Sequence, residues 1–273
     1  MRARTIETNG GQLYAEFRGE HGPVVLIVQG GLSEAGATEQ LADDLAQDHQ
    51  VITYDRRGLS RSSGPAGADA MATHADDAAA LLTEMTDERA NVIGPSIGAV
   101  IGLHLAVRHP GKVGVLIAHE PPMPSLVRDP EREAGLDQVA ELADGGDLGA
   151  AIRTFATLGG PSVDSREDGA RPAPTVGDGQ ANLKAFFRND FPAVRRSDLR
   201  AKQITALPAT TAVVPTGGRD SRSRWEWRCA QQLARELGRE LTELPGGHNG
   251  LVSHPWASAT TLRRLIAEAD DGD

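Results

Sequence analysis

Gly94-Pro95-Ser96-Ile97-Gly98 is the first stretch of the chain whose residue types and spacing point to chemistry. The pattern G-x-S-x-G sets a serine between two residues that lack side chains. Asn91-Val92-Ile93-Gly94 reads as a strand before it, and Ile97 to Arg108 as a helix after it. A strand that turns straight into a helix presses backbone on backbone, and a Cβ beside the turn would collide there. Such a turn lifts the Ser96 hydroxyl clear of the sheet. It also leaves the Ile97 amide at a helix N-terminus, aimed at any oxyanion that develops. The chemistry of a serine so placed is nucleophilic attack, and it requires a base.

Eight histidines are candidates for that base. His248 lies in Pro245-Gly246-Gly247-His248-Asn249-Gly250, after an expected strand, and the glycines let the loop reach back toward the serine. His254, before Pro255, is the near rival, although its place reads as a helix start. His21, His49, His74 and His109 read as surface or turn residues. His104 reads as a packing or surface residue within the helix after Ser96, and His119 stands at a strand end near the site.

Short β-branched runs alternate with helical patterns along the chain, the mark of a mostly parallel sheet covered on both faces. Strands are expected at Gln12 to Arg18, Val24 to Val28, Val51 to Tyr54, Asn91 to Gly94, Val113 to Ala118, Thr211 to Val214 and Glu240 to Leu244. Helices are expected at Thr38 to Gln47, Ala70 to Met85, Ile97 to Arg108, Arg224 to Leu237 and Ala257 to Ala269. Between about Pro121 and Pro208 the strand signal disappears. Helical pieces remain there at Ala134 to Leu142, Leu148 to Leu158 and Asn182 to Phe187, with a Gly-, Pro-, Asp- and Ser-rich loop from Gly159 to Gln180.

Taken together, these segments make the chain resemble the α/β-hydrolase superfamily from residue 5 to the last helix. Tyr54-Asp55-Arg56-Arg57-Gly58-Leu59-Ser60-Arg61-Ser62 is similar to the Y-D-x-R-G-x-G-x-S segment of these enzymes, with Leu59-Ser60 in place of x-Gly. His109-Pro110-Gly111-Lys112-Val113 resembles the entry to the sixth strand, and His119-Glu120-Pro121-Pro122 its end in a group of bacterial hydrolases. The resemblance implies an eight-stranded, mostly parallel sheet flanked by helices. Residues 1–120 and 209–273 would form the core, and 121–208 a helical cap.

It further implies a catalytic set in the order nucleophile, acid, histidine: Ser96, Asp220 and His248. Asp220 follows the Thr211–Val214 strand in Pro215-Thr216-Gly217-Gly218-Arg219-Asp220, the usual position of the acid. Glu120 is the alternative, since some members supply the acid after the sixth strand. Asp55 reads as a brace for its loop. The oxyanion hole would use the amide of Ile97 and one from the turn after the third strand, at Gly31 or Leu32. That turn reads Gln29-Gly30-Gly31 where His-Gly is usual. Gln29, Leu32, His119 and Glu120 are therefore candidates for contact with substrate.

The bulk numbers bound the rest. With 273 residues, 39% of them hydrophobic, the chain can bury one full α/β core. A net charge of −10 repels phosphate backbones and anionic lipid, so neither nucleic acid nor membrane is expected as a partner. The one cysteine, Cys229, forms no intrachain disulfide and reads as a packed thiol. The first ten residues lack an apolar signal-peptide core, so a cytoplasmic location is expected. No H-x-H, H-E-x-x-H, P-loop or dinucleotide G-x-G-x-x-G pattern occurs, so no metal or nucleotide cofactor is implied.

The expected chemistry is acyl transfer to water, on an ester, lactone or thioester of a small-to-medium apolar acid. Phe155, Phe186, Phe187 and Phe191 offer an apolar wall, though packing of the cap against the sheet is the favoured reading for most of them. Trp225 and Trp227 read as structural. A serine at 96 argues against the aspartate chemistry of epoxide and haloalkane hydrolysis on this fold. Non-hydrolytic relatives (lyases, cyclases, small-molecule receptors) form the alternative class, and a homodimer remains open.

Overall fold

A computed structural model describes residues 1–67, 69–160, 165–174 and 176–270. Its strands are β1 (Arg2–Thr8), β2 (Gly11–Arg18), β3 (Val24–Ile27), β4 (Gln50–Tyr54), β5 (Ala90–Pro95), β6 (Val113–His119), β7 (Ala212–Gly218) and β8 (Thr242–Leu244). They form one sheet in the order β1-β2-β4-β3-β5-β6-β7-β8. β2 runs antiparallel to both its neighbours, and every other pairing is parallel.

The helices are α1 (Glu39–Leu45), α2 (Ala70–Thr83), α3 (Ile97–Arg108), α4 (Pro130–Asp144), α5 (Leu148–Leu158), α6 (Gly179–Ala185), α7 (Phe191–Arg195), α8 (Ala201–Thr205), α9 (Trp225–Glu236), α10 (Gly250–Ser253) and α11 (Pro255–Asp270). A π-helical turn, Phe186–Asp190, joins α6 to α7. None is long and apolar enough to cross a membrane. The described residues between β6 and β7 contain helices and irregular chain but no strand.

The continuous apolar runs of β3 and β5 follow from having both faces covered. Side chains alternate across a strand, so Leu26 and Val28 face one apolar cluster with Val92, Leu103 and Leu116. Val25 and Ile27 face the other, with Ile93, Leu41, Leu45, Leu262 and Ile266. One face thus carries α2 and α3, and the opposite face α1 and α11.

The sequence pattern missed β1. Its seven residues, RARTIET, hold two apolar side chains, Ala3 and Ile6, and only Ile6 is buried. It is nonetheless paired residue for residue with β2, from Arg2 opposite Phe17 to Thr8 opposite Gly11. A charged edge strand has too little apolar alternation to be read, and its charges suit it to an edge. Helices α7, α8 and α10 have five, five and four residues, too few to display a helical period. Of the loop expected at Gly159 to Gln180, positions 161–164 and 175 lie outside the described residues, and its last two residues open α6.

Gly98 marks the closest approach of helix to sheet. A Cβ there would strike the Val28 carbonyl and lie 2.9 Å from that of Gln29. Gly98→Ala should therefore destabilise the protein by about 1–3 kcal/mol, as an overpacked core does. Gly111→Ala, where a Cβ meets nothing within 4 Å, should leave the urea midpoint near the wild-type value. Equal midpoints for the two variants would contradict this reading.

Candidate active site

Ser96 sits between β5 and α3 with φ 53° and ψ −123°, a left-handed conformation costly for any residue with a side chain. Backbone on both sides enforces it. A Cβ on Gly94 would run into the Gly98 carbonyl, and the Ser96 amide donates to the His119 carbonyl at 2.8 Å on the neighbouring strand. The turn expected around Ser96 is thus present, with its hydroxyl held off the C-terminal edge of the sheet.

The chain leaves β6 through Glu120, which also has positive φ, 49°, and is fully buried. Its Oε2 accepts from His248 Nδ1 at 2.6 Å. Its Oε1 accepts from the Gly218 amide at 2.7 Å and from the Ser221 hydroxyl. Burial alone would raise the pKa of this carboxyl. Hydrogen bonds from His248 and Ser221 and the charges of His119 and His248 outweigh it, and hold it at about 2. Glu120 is therefore ionised at neutral pH and orients the imidazole by the Nδ1 proton.

Asp220 is placed differently from what the sequence suggested. It is exposed, its amide donates to the Gly246 carbonyl at 2.9 Å, and among the described residues its carboxylate makes no hydrogen bond to His248. The end of β7, read as the home of the acid, instead supplies two donors to Glu120. The left-handed turn at Glu120 swings its side chain under the histidine loop, so the sixth strand delivers the carboxylate.

Gly31 and Ile97 line the same cavity as Ser96 and His248. Neither amide has an acceptor within the protein among the described residues. The loop that carries Gly31 is fixed from behind by Arg56, fully buried, whose Nη1 donates to the carbonyls of Gln29 (2.8 Å) and Gly30 (2.7 Å) and whose Nη2 donates to that of Gly31. Arg56 Nη2 also reaches Asp190 Oδ2 at 2.8 Å, and Asp190 Oδ1 meets His74 Nε2 at 2.9 Å. Burial would raise the Asp190 pKa, but Arg56 and His74 hold it at about 2. His74, read from sequence as a surface residue, is wholly buried in this network.

The cavity measures about 160 Å³, and its apolar wall includes Leu136, Phe155, Phe186, Phe191, Val194 and Trp225. Of the four residues proposed for substrate contact, none lines it. Gln29 points beneath the loop, its Nε2 donating to Thr38 Oγ1 at 2.7 Å and to the Ala35 carbonyl at 3.4 Å. It thereby braces the turn where a histidine is usual. Leu32 is exposed outside the cavity, and Glu120 lies behind His248. His119 is fully buried, with Nδ1 3.2 Å from Thr216 Oγ1, and burial pushes its pKa down.

The phenylalanines pack edge-to-face at 5.2–6.0 Å between centroids, with Phe186 and Phe191 tilted at 6.2 Å, so three of the four both pack and line the cavity. Burial pushes the Cys229 thiol up to about 12, which keeps it unreactive. Among the described residues no group of three His, Cys, Asp or Glu side chains is arranged to hold a metal. Ser60, standing where glycine is usual, takes φ 49° and gains three hydrogen bonds for it: from its hydroxyl to Glu34 (2.5 Å), from its amide to Asn182 (2.7 Å) and from the Asn182 amide group (2.7 Å).

Residues 23–255 match the sequence model of a family described by its alpha/beta hydrolase fold. YraK of Bacillus subtilis strain 168, named an uncharacterized hydrolase, is 32% identical over 254 residues, which cover 92% of this chain and 90% of the relative. Among solved structures, an alpha/beta hydrolase from Sphaerobacter thermophilus DSM 20745 gives a TM-score of 0.70 at 24% identity, over 96% of this chain and 100% of the other. Est816, titled an N-acyl homoserine lactone degrading enzyme, gives 0.67 at 24% identity over the same shares. At these identities the two structures establish a common fold.

Because the folded pKa of Glu120 lies below its usual 4.5, its carboxylate stabilises the fold above that pH. The contribution is lost as pH falls from about 4.5 toward about 2. The plot of unfolding free energy against pH should therefore drop over this range in the wild type. In Glu120→Gln it should be shallower by on the order of 3 kcal/mol, whereas Asp220→Asn should follow the wild type. Urea titrations at stepped pH measure it, and an Asp220→Asn curve that flattens instead would reverse the assignment.

Proposed function

The chain belongs to the α/β hydrolase fold family, and from that premise we propose that it is a serine hydrolase acting through an acyl-enzyme on Ser96. The observation that carries this reading is one cavity lined by Ser96 on a left-handed turn, His248, and the free amides of Gly31 and Ile97, with Glu120 ionised against His248 Nδ1. The substrate is an ester, lactone or thioester, small to medium in size and largely apolar. The acid of the set is Glu120 rather than Asp220.

The steps follow from the geometry. His248 takes the hydroxyl proton as Ser96 Oγ bonds to the carbonyl carbon, and the carbonyl oxygen becomes an oxyanion between the amides of Gly31 and Ile97. The imidazolium so formed keeps its Nδ1 proton toward Glu120, which stabilises the positive charge. As the oxyanion collapses, the bond to the leaving alcohol or thiol breaks, and His248 returns the proton to it. Water, deprotonated by His248, then adds to the acyl-enzyme, and Ser96 departs with the proton.

The six-residue apolar wall supports an apolar acyl or alcohol arm, and the likeness to Est816 brings lactones within the class. A small-molecule substrate met in the cytoplasm completes the reading.

A fluorophosphonate should label the folded protein at Ser96, read as a mass increase on the peptide that contains it, with no label on Ser96→Ala. In an ester and lactone screen, Glu120→Ala should lower kcat roughly 10²–10⁴-fold, and Asp220→Ala less than about threefold. A folded wild-type protein that takes no label would overturn the acyl-enzyme reading and favour a binding or lyase role.

A further inference from the structure

The wall of the apolar cavity also carries charge. Arg132, Arg224 and Glu226 all line it, together with Gly159 and Trp225. Arg132 is well held: its Nη1 donates to the Leu158 carbonyl at 2.8 Å, its Nη2 to Glu226 Oε1, and its guanidinium lies 4.6 Å from the centre of the Trp225 ring. Arg195, also on the wall, is paired with Asp137 at 2.5 Å. Arg224 is not held in this way. Its nearest charged partner is Glu226 Oε2, 3.5 Å from Nε, and its guanidinium makes no hydrogen bond among the described residues.

One glutamate therefore faces two arginines. Arg132 takes its Oε1, while Oε2 stays buried without a hydrogen bond, as do the Nε atoms of Arg132 and Arg224. The cluster keeps one unbalanced positive charge beside an apolar chamber, where water screens poorly. Gly159 leaves the space the guanidinium fills, since a Cβ there would lie 2.9 Å from its Cζ. A structural ion pair needs only Arg132 and Glu226. A second guanidinium whose donors are unused among the described residues is suited to bind a planar anion by parallel charge-assisted bonds.

We propose that the substrate's apolar arm ends in a carboxylate, and that Arg224, backed by Arg132, anchors it. One excess charge matches one carboxylate, and the phenylalanines that line the cavity together with Ser96 and Arg224 suit a methylene chain. The natural substrate class is then an ester, lactone or thioester that carries a free carboxylate at the far end of an aliphatic arm. This rests on the hydrolase reading for its reactive bond, though not for its anion site.

Two measurements separate these. The first compares kcat/KM for mono-p-nitrophenyl adipate with that for p-nitrophenyl hexanoate. The wild type should prefer the carboxylate ester about 10- to 100-fold, Arg224→Gln should bring the ratio near one, and Arg224→Lys should restore part of it. The second is calorimetric binding of adipate and of neutral adipamide to the wild-type protein, which does not depend on a variant's folding. Adipate should bind and adipamide should not.

Hydrolysis of both esters at a ratio near one in the wild type would overturn the carboxylate anchor and leave the hydrolase intact. So would equal affinity for adipate and adipamide. Selective adipate binding with neither ester hydrolysed would uphold the anchor and count against the acyl-enzyme.

Discussion

The guanidinium of Arg56 holds three consecutive carbonyls, those of Gln29, Gly30 and Gly31, and the carboxylate of Asp190. With its carbonyl held inward, Gly31 keeps its amide without an acceptor among the described residues, on the wall of the cavity that Ser96 also lines. The same cation joins that loop to the helical segment between β6 and β7, because Asp190 lies in the turn between α6 and α7. His74 adds a second tie from α2. A buried cation would be costly if left alone. Here its terminal nitrogens are bonded to carbonyls and a carboxylate, so breaking the join would strand charge in the core.

The sheet supplies the second constraint. β5 delivers Ser96, and its neighbours β3 and β6 deliver the Gly31 loop and Glu120. Parallel order puts all three strand ends on one edge, where ligands gather in open α/β sheets. Two of the non-glycine residues that carry the proposed chemistry, Ser96 and Glu120, hold left-handed backbone. Each is locked there by main-chain bonds from the strand beside it: Ser96 to His119, Glu120 to Thr216. Local strain at the site is thus maintained by the regular pairing of the sheet.

Behind Ser96, His248 and the Gly31 loop, buried charge always has partners. Glu120 takes three donors, and Asp190 takes an arginine and a histidine. On the cavity wall Arg224 departs from that rule, and under the proposed anchor that departure sets specificity. An apolar chamber with one uncompensated cation selects by the difference between a paired and an unpaired charge, which is large where water is excluded.

Much of this was legible in short windows of sequence. The turn at Ser96, the helix after it, the glycine-bounded His248 and the run of apolar strands each follow from residue size and periodicity within a dozen residues. The order of the strands, and with it the partner of His248, was not. Asp220 and Glu120 both stand at strand ends, and nothing local separates them. The choice fell to the backbone turn at Glu120 and to donors from Gly218 and Ser221, about a hundred residues away in the chain. His74, Arg56 and Asp190 were illegible for the same reason, since each alone looks like an ordinary polar residue. The sequence by itself determined where the chain bends, which serine stands at the turn between β5 and α3, and that both faces of the sheet are buried. The tertiary structure alone decided which carboxylate serves which cation, because a buried charge is stabilised by whatever distant donors the strand order brings within three ångströms.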